Sequence, residues 1–533
     1  MINFPKLSNQ SGKTQKMTYS FGGINRGEGY NFGELETSEN ISLLSYPAIG
    51  GAPEKKAASL YTKTPDDVIF SGGAFMIKDN YMRYSEEKNL GTYKTSTSVS
   101  AGEKECVKMG KYLVVFPDKL WCDTEKNDWR NIGETLSVDD KTLYYSSNRI
   151  RFKTYTEFSG FSGKFSAGDT IEIDGGFYGS DSRAETVNTN ATIRDIDRRN
   201  YTVIFDPNTF EATADDTGAA TTFKRNAPEL KFILSHGGRL WGVEKNEIKA
   251  SKFQSPYNFE YFDLSAADSY TVETAEPGDF TASFSMGDYA LFFKENLIYR
   301  ITGTKPSNFR LTVIPSKGVK SGCQRSLAQH SGTVYYVGTD GVYACGGAES
   351  KKISAAIGNL SDVTSASGGF LGSVYYVSLK RAGGIYETYG YDTEKRMWFR
   401  AGSDGITSMG VLNGELWCQK TDKTLFKLTL GGEREKDFSV TLREYDEGKY
   451  NQKGFSRLYL KYKLNDGGYI RVETSLDFAP FKEAAIFSDS KRRVSEIRLS
   501  PNRGDNMRLK ISVYGGGLIE GMMREYFSHG SLF

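Results

Sequence analysis

The sequence predicts an all-β fold, a β-propeller of about seven blades with an inserted small β-barrel and a C-terminal β-sandwich. Three observations lead to this prediction. A strand-turn-strand pattern returns along the chain, its copies are mostly spaced by about 37 to 50 residues, and the composition favours turns and strands. The 533 residues include 57 Gly, 33 Tyr and 33 Phe but only 13 Pro, which suits half-buried strands joined by tight turns.

The repeated pattern is clearest in RLWGVEKNEIKASKF, from Arg239 to Phe253. Apolar residues, a polar tip and a second alternating run predict two antiparallel strands joined by a tight turn. Six further copies begin near residues 74, 111, 289, 333, 373 and 415. Because stacked blades in a closed ring bury both faces of each sheet, we predict a propeller over residues 57–136 and 229–436. Trp121 and Trp129 are expected to pack between blades.

Residues 1–56 contain no blade pattern. Closely spaced glycines and weak periodicity over Thr18 to Gly51 predict an extended N-terminal arm. Two roles are open for this arm. It either crosses a surface and enters a groove of a partner, or it fastens the chain's own propeller.

Residues 137–228 interrupt the repeat and alternate at period two, which predicts five or six short strands in an SH3-like or OB-like barrel. OB-type barrels often bind nucleic acid through a basic, aromatic face. Asp195 and Asp197 cancel part of the positive charge on this insertion. Contact with DNA and docking to a neighbouring subunit are the two alternatives for its basic residues. These residues are Arg194, Arg198, Arg199, Lys224 and Arg225.

The last two segments have structural interpretations. The run YDTEKRMW, residues 391–398, is typical of a kelch-type blade end, in which Asp392 and Thr393 shape a turn and Trp398 packs inward. Residues 437–533 contain longer alternating strands, which predict a β-sandwich. The tripeptide Arg503-Gly504-Asp505 lies in a predicted turn of this sandwich and is expected to be structural.

Charge and motifs argue against several functions. The 68 Lys and Arg nearly balance the 66 Asp and Glu, which disfavours a surface coated with nucleic acid but allows local basic patches. The chain has no phosphate-binding loop, nucleophile elbow, calcium loop or dinucleotide fingerprint, and its three histidines lack zinc spacing. We therefore predict no enzymatic activity, no cofactor and no metal. The five cysteines, without a C-x-x-C pair, are expected to be free, mostly buried thiols of a reducing compartment.

No segment of 18 consecutive apolar residues exists, so we predict no membrane-spanning segment. The first residues, MINFPKLSNQSGKTQK, lack the apolar core of a secretory signal.

The motif FGGINR opens the N-terminal region and is followed by GELETSENISLLSYPAIGG, residues 33–51. The motif consists of Phe21, Gly22, Gly23, Ile24, Asn25 and Arg26. Together these stretches resemble the opening of β-propeller virion proteins of tailed bacteriophages, the packaged-DNA stabilization, tail-hub and nozzle proteins. SKFQSPYNFEYFD (251–263), the run 305–343 and the C-terminal run from Arg503 resemble the same family.

The resemblance implies a structural protein of the virion, made in the bacterial host cytoplasm. In that family a ring of about six copies surrounds the DNA channel at the neck or tail. The implied partners are further copies of the chain, the portal or head-completion adaptor or other tail proteins, and the genomic DNA in the lumen through non-specific contacts. FGGINR is then an assembly arm.

Two other functions remain open from the residues. One is a carbohydrate-binding or carbohydrate-active propeller, such as a receptor-binding component or a glycosidase, that uses tyrosines and tryptophans of the blade loops. The Asp-box repeats of sialidases, S-x-D-x-G-x-T-W, are missing. The other is a cytosolic scaffold of the kelch type.

Overall fold

The computed structural model describes residues 13–27, 29–60, 63–139, 143–146, 148–178, 184–207, 209, 220–491 and 493–528. The chain divides into two compact units. The first comprises residues 1–64, 320–346 and 350–533, and the second comprises residues 65–319 and 347–349.

Seven antiparallel four-stranded sheets, A to G, make up most of the described chain. Sheets A to D belong to the second unit and sheets E to G to the first. Their strands, in sheet order, are Asp67–Phe70, Gly73–Lys78, Tyr81–Glu86 and Thr95–Ser98 in A; Glu105–Met109, Tyr112–Phe116, Leu120–Asp123 and Asp128–Asn131 in B; Lys231–His236, Arg239–Glu244, Glu247–Ala250 and Tyr270–Glu273 in C; and Phe280–Met286, Tyr289–Lys294, Leu297–Thr302 and Arg310–Ile314 in D. They continue as Ala328–His330, Thr333–Val337, Val342–Cys345 and Lys351–Lys352 in E; Val363–Leu371, Val374–Arg381, Tyr386–Asp392 and Met397–Gly402 in F; and Ile406–Leu412, Glu415–Lys420, Leu425–Leu428 and Lys56–Ala58 in G.

All seven predicted hairpins are present, and each supplies the second and third strands of one sheet. The second strands are almost continuously buried, as in Tyr112–Phe116 of sheet B. In that strand Leu113 and Val115 join a core cluster with sheet A, whereas Val114 and Phe116 join one with sheet C. Successive side chains point to opposite faces of a strand, so a strand buried on both faces must lie between two other sheets.

The same packing continues along each unit. Trp241 of sheet C and Phe292 of sheet D share one core cluster. In the first unit the ring of Tyr335 in sheet E lies 5.3 Å from that of Phe370 in sheet F. The predicted packing of the two tryptophans of sheet B is confirmed, because Trp121 belongs to the cluster with sheet C and Trp129 packs against the cluster with sheet A.

Among its described residues the insertion is one antiparallel seven-stranded sheet with a single α-helix, rather than the five or six short strands predicted. Its strands, in chain order, are Glu134–Asp139, Leu143–Ser146, Arg149–Phe152, Thr170–Tyr178, Ala184–Asp197, Thr202–Phe205 and Ala220–Arg225. The two outermost strands follow each other in the chain, with only residues 140–142 between them. A flat sheet of this size would place its edges about 29 Å apart, and four residue steps span at most about 15 Å. The sheet therefore curls around its core.

The helix Tyr155–Lys164 in the insertion was not predicted. Its Phe158 and Phe161 are buried in the core of the insertion. The local signal was present, because Thr154 and Glu157 form the T-x-x-E pattern of a capping box. The backbone N–H of Glu157 donates to the hydroxyl of Thr154 at 3.4 Å, and the two side chains bond at 2.7 Å.

Two terminal sheets, X and Y, combine the two ends of the chain. Sheet X contains Thr14–Thr18, Ile41–Ser42, Ile49–Gly51, Lys453–Leu464, Val494–Gly504 and Gly517–Ser528. Sheet Y contains Leu35–Glu39, Phe438–Leu442, Tyr469–Leu476, Lys482–Phe487 and Met507–Tyr514. The five long strands predicted for residues 437–533 are all present, but N-terminal strands complete both sheets. Residues 14–51 are thus part of the terminal sheets rather than a separate arm, which corrects the sequence-based boundary; residues 1–12 lie outside the described residues.

Short 3-10 turns at Leu43–Ser45, Glu87–Asn89, Pro306–Asn308, Gln324–Ser326 and Ala355–Ile357 complete the regular structure. All five cysteines are buried and none forms a disulfide, as predicted. They are Cys106, Cys122, Cys323, Cys345 and Cys418.

Candidate functional site

The FGGINR motif lies against the outermost strand of sheet F. The backbone N–H of Ile24 donates to the carbonyl of Trp398 at 2.6 Å, and that of Arg26 donates to the carbonyl of Ala356 at 2.8 Å. Phe21 and Ile24 are 1% and 2% exposed. The motif therefore fastens the N-terminal segment to the chain's own sheets, which favours the second of the two roles considered for it.

The other residues of the motif support this contact. Asn25 donates its amide to the Glu34 carboxylate at 2.9 Å. Gly22 is half-buried, and its N–H donates to the carbonyl of Gly33 at 3.0 Å. Arg26 is exposed and donates to the carbonyl of Ile357 at 3.4 Å. Within the motif, Arg26 offers the side chain most accessible to a partner.

Gly23 is required because the backbone of Trp398 lies too close for a side chain at this position. A Cβ atom at this position would lie 2.6 Å from the carbonyl oxygen and 2.9 Å from the nitrogen of Trp398. We expect Gly23→Ala to lower the free energy of unfolding by about 1–3 kcal/mol, because backbone atoms cannot move aside as a flexible side chain does. Denaturant titration checks this. Gly29→Ala is the matched control, since a Cβ there meets nothing within 4 Å; equal losses in both variants would contradict the steric explanation.

The five basic residues of the insertion do not form one surface. Arg225 is buried, 3% exposed, and pairs with Asp169 at 2.6 Å. Its guanidinium also donates to the carbonyl of Ile132 at 2.8 Å and lies 4.9 Å from the ring of Tyr257. Arg225 is thus removed from the candidate contact residues, because it is inaccessible to DNA or to a neighbouring subunit.

Arg194 is half-exposed but engaged within the chain. It donates to both carboxylate oxygens of Asp263, at 3.0 and 2.8 Å, and also pairs with Asp206. The hydrogen bond from Arg194 lowers the pKa of the Asp263 carboxyl. Bidentate geometry of this kind fixes orientation as well as charge. Arg194 therefore ties the insertion to residues 251–269, the segment between the last two strands of sheet C.

Lys224 is exposed and lies 3.6 Å from Glu172. Arg198 and Arg199 are exposed at the turn between the strands Ala184–Asp197 and Thr202–Phe205. Beside them Asp197 accepts the backbone N–H of Arg199 at 2.9 Å. Of the five candidates, Arg198 and Arg199 remain the pair best placed for an external contact.

Residues 251–269 make further contacts, with the insertion and with sheet B. The ammonium of Lys252 and the amide of Asn258 both donate to the carbonyl of Gly168 at 2.9 Å. The ring of Tyr257 stacks on Trp121 of sheet B, with centroids 4.3 Å apart. Neither contact could be predicted from local sequence, because each joins residues at least 84 positions apart.

The kelch-type turn predicted at Asp392 is present. Its carboxylate accepts the backbone N–H groups of Glu394 and Lys395 at 3.1 and 2.9 Å, and the indole of Trp398 is buried. The same letters, DTEK followed by two residues and Trp, occur at 123–129 in sheet B. There the Asp123 carboxylate accepts the N–H of Glu125 at 3.0 Å. At both places the Asp carboxylate shapes the turn by accepting backbone N–H groups.

His236 and His330 each contact one neighbouring side chain. The imidazole of His236 contacts the hydroxyl of Ser285 at 2.9 Å, and burial lowers the pKa of His236. His330 stacks on Phe370; His529 lies outside the described residues.

In the part of the chain that the structure describes, no cluster of three or more His, Cys, Asp or Glu side chains could hold a metal ion. Nor does any helix there combine the length and apolar character needed to cross a membrane.

No protein-family model and no curated protein sequence matches the chain. Solved structures with a similar arrangement include BamB from Moraxella catarrhalis, at 10% identity and a TM-score of 0.33 over 79% of this chain and 99% of that one. Raptor from Chaetomium thermophilum has 10% identity and a TM-score of 0.34 over 72% of this chain and 29% of that one. The WD40 domain of SCAP from fission yeast has 7% identity and a TM-score of 0.28 over 90% and 98%. At these scores the similarities carry no argument about function.

Proposed function

We propose that the chain is a structural protein of a tailed-bacteriophage virion. About six copies form a ring around the DNA channel at the neck or tail, where the ring stabilises packaged DNA and connects head and tail components. The observation that carries this proposal is the FGGINR opening, with the following residues 33–51, which resembles that of phage propeller proteins. In this chain the motif fastens the N-terminal segment to the outermost strand of sheet F.

The ring subunit is proposed to be a seven-bladed propeller. Sheets A to G have the four-stranded meander of blades, and they pack face to face in chain order within each unit. Strand Lys56–Ala58 completes sheet G, whose other three strands lie at residues 406–428. A terminal strand that completes the last blade is a means of holding a ring of blades closed.

Rigid attachment of the other modules supports a load-bearing role. The insertion is held by the buried pair Arg225–Asp169 and by Arg194 on Asp263. The terminal sheets are held by the FGGINR contacts. Each module offers a surface of its own, which suits a subunit with symmetric neighbours and axial partners such as the portal or head-completion adaptor.

Contact with genomic DNA is proposed to be weak and non-specific. Three of the five basic residues of the insertion are paired with carboxylates within the chain, and the total charge is nearly balanced. Binding to DNA grows with the number of phosphates that Lys and Arg neutralise, so a surface whose cations are paired with carboxylates allows DNA to slide past. The proposal includes no catalytic activity for the chain.

Quantitative mass spectrometry of gradient-purified phage particles tests the function. We expect a small fixed number of copies relative to the major capsid protein, about six or twelve, as closed point-group symmetry suggests. Absence from particles, with the chain in the soluble fraction, would overturn the proposal. Glycan binding by the exposed tyrosines would then become the next hypothesis to measure.

A further inference from the structure

One strand of the insertion presents two arginines to solvent. In Arg149–Phe152 exposed and buried side chains alternate, so Arg149 and Arg151 point outward while the residues between them fill the core. Neither arginine makes an ion pair with a carboxylate in the described part of the chain. The three paired basic residues of the insertion, described above, differ in this respect. Two guanidinium groups are therefore available to an anionic ligand.

Exposed tyrosines lie beside these two arginines. Tyr144 is directly opposite Arg151 in the neighbouring strand, and its side chain is 48% exposed. The ammonium of Lys153 lies 4.8 Å from the centre of the Tyr144 ring. Tyr155 follows closely in the chain, is 65% exposed, and has its ring 5.9 Å from that of Tyr201. This surface is called the cationic face below, and its members are Tyr144, Arg149, Arg151, Lys153 and Tyr155.

Carboxylates on the same side of the sheet lie farther away. Asp195 and Asp197 are in register with the two arginines but one strand beyond Thr202–Phe205. Two strand spacings separate the backbones by roughly 9.6 Å, which exceeds the screening length of about 8 Å at physiological ionic strength. The adjacent turn carries the exposed Arg198 and Arg199, which offset both carboxylates.

Two other carboxylates lie near this surface in the chain. Glu157 bonds the hydroxyl of Thr154 at 2.7 Å in the cap of the helix. Asp139 is exposed at the end of the other outermost strand of the sheet. Neither is close enough to Arg149 or Arg151 for an ion pair. The positive charge of both arginines thus remains open to a ligand.

We infer that the cationic face binds single-stranded nucleic acid. Arg149 and Arg151 are two positions apart on an extended strand, so their backbones lie roughly 6.7 Å apart. Successive phosphates of an extended single strand adopt a similar spacing, and each guanidinium binds one phosphate. Unpaired bases stack on the rings of Tyr144 and Tyr155. This site goes beyond the proposed ring and does not depend on it.

The tyrosines decide between this ligand and other anions. In a duplex the faces of the bases are covered by stacking within the helix, so the tyrosine rings find no partner there. An acidic peptide satisfies the arginines but leaves the same rings exposed to water. A surface that combines cations with exposed aromatic rings is typical of proteins that bind single strands without sequence preference.

Fluorescence anisotropy of the full-length chain with a labelled oligothymidylate tests the site. A length of about 12 nucleotides falls within the range that such small barrels cover. Two double variants remove the two kinds of contact, and all four side chains are exposed, so the core stays intact. They are Arg149→Gln with Arg151→Gln, and Tyr144→Ser with Tyr155→Ser. Arg149→Lys with Arg151→Lys retains the charge and should retain most of the affinity.

Matched controls make the same changes at exposed positions elsewhere. Arg310→Gln with Arg498→Gln alters the total charge by the same amount as the arginine variant. Tyr450→Ser removes a fully exposed tyrosine. Both controls should bind the oligonucleotide as the wild-type chain does, because neither changes the cationic face.

Salt dependence separates the two kinds of contact. We expect the arginine variant to bind at least tenfold more weakly, and the slope of log affinity against log salt to fall by about 1.4, since each phosphate contact of a single strand contributes about 0.7. The tyrosine variant should bind about fivefold more weakly or worse, because stacking is lost. Its slope should equal that of the wild type, because stacking releases no counterions.

Three results would overturn the site. The first is an absence of binding by the wild-type chain at about 50 mM salt. The second is an equal loss in the arginine variant and its charge-matched control, which would show that only the total charge matters. The third is equal affinity of the wild-type chain for a duplex of the same length or for polyglutamate of the same charge, which would assign the surface to duplex DNA or to an acidic protein instead.

Discussion

Replacement of Arg225 by Met is expected to destabilise the insertion by about 3–5 kcal/mol. Removal of one member of a buried ion pair leaves the other as an uncompensated charge in a medium of low polarity. Here the charge left behind is that of Asp169, whose side chain is 3% exposed. The variant also loses the hydrogen bonds to the carbonyls of Ile132 and Asn131.

Hydrogen exchange of amides in the insertion measures this effect locally, because protection reports the free energy of opening for each region. Lys224→Met is the matched control. Lys224 occupies the preceding position of the same strand, its ion pair with Glu172 is longer at 3.6 Å, and its side chain is half-exposed. We expect a change below about 1 kcal/mol there. Similar loss of protection in both variants would show that charge burial is not the cause.

The Arg225→Met effect should also depend on pH. Burial raises the pKa of the Asp169 carboxyl, and the guanidinium of Arg225 opposes that rise. An acid whose pKa is higher in the folded than in the unfolded state binds more protons when the protein is folded. The free energy of unfolding therefore rises as the pH falls towards the pKa of the unfolded state. Without Arg225 the pKa rises further. The difference in the free energy of unfolding between Arg225→Met and the wild type should therefore shrink as the pH falls from the raised pKa of Asp169 in the folded variant towards its pKa in the unfolded chain. A difference that does not depend on pH would contradict the mechanism.

Replacement of Arg524 by Met is expected to release the N-terminal strand, again with a loss of about 3–5 kcal/mol. Arg524 of sheet X is 1% exposed and pairs with fully buried Glu447 at 2.9 Å. Glu447 keeps a second partner, the more exposed Lys16 at 3.3 Å, which compensates only part of its charge once Arg524 is lost. It also donates to the hydroxyl of Thr18 at 3.0 Å and lies 3.6 Å from the ring of Tyr445. Because Thr18 ends the strand Thr14–Thr18, loss of this contact should expose that strand first.

Limited proteolysis between residues 13 and 34 and denaturant titration check this expectation. Arg498→Met is the control, since Arg498 is 83% exposed and its pairing with Glu496 is weak. The double variant Arg524→Met with Glu447→Gln removes both charges and should recover much of the loss, as replacement of buried pairs by neutral groups does. If the double variant is no more stable than Arg524→Met alone, the lost packing rather than the unpaired charge is responsible.

The hairpins of sheets A to G could be predicted because their signals are local. In Arg239 to Phe253, alternation at period two and a polar tip lie within 15 residues, and the structure has strands at Arg239–Glu244 and Glu247–Ala250. The helix Tyr155–Lys164 was missed although its capping residues were visible, because the surrounding alternation favoured strands. Here a short helix is stabilised by the burial of Phe158 and Phe161 rather than by a strong pattern.

The candidate contact residues were predicted less well. Charge alone marked Arg194 and Arg225 as surface groups, but the structure pairs them with Asp263 and Asp169, 69 and 56 positions away. The local sequence does not distinguish a basic residue exposed to solvent from one paired with a buried carboxylate. The left-handed φ of Leu264 and the hydrogen bond from Arg239 to the carbonyl of Asp268 were likewise not predictable, since neither has a local signature in the sequence.

The sequence by itself determined the all-β class, the seven hairpins and the long strands near the C-terminus, because side-chain alternation and turn residues act between neighbours in the chain. Only the tertiary structure decided where the N-terminal strands pair. Leu35 lies opposite Leu442 and Ala57 opposite Phe426, and backbone hydrogen bonds across such separations depend on the packing that brings both strands to one edge. The same packing places strands of the N-terminal region in three sheets, although its sequence has little periodicity. The edges of sheets G, X and Y supply hydrogen-bonding partners that the local sequence does not specify.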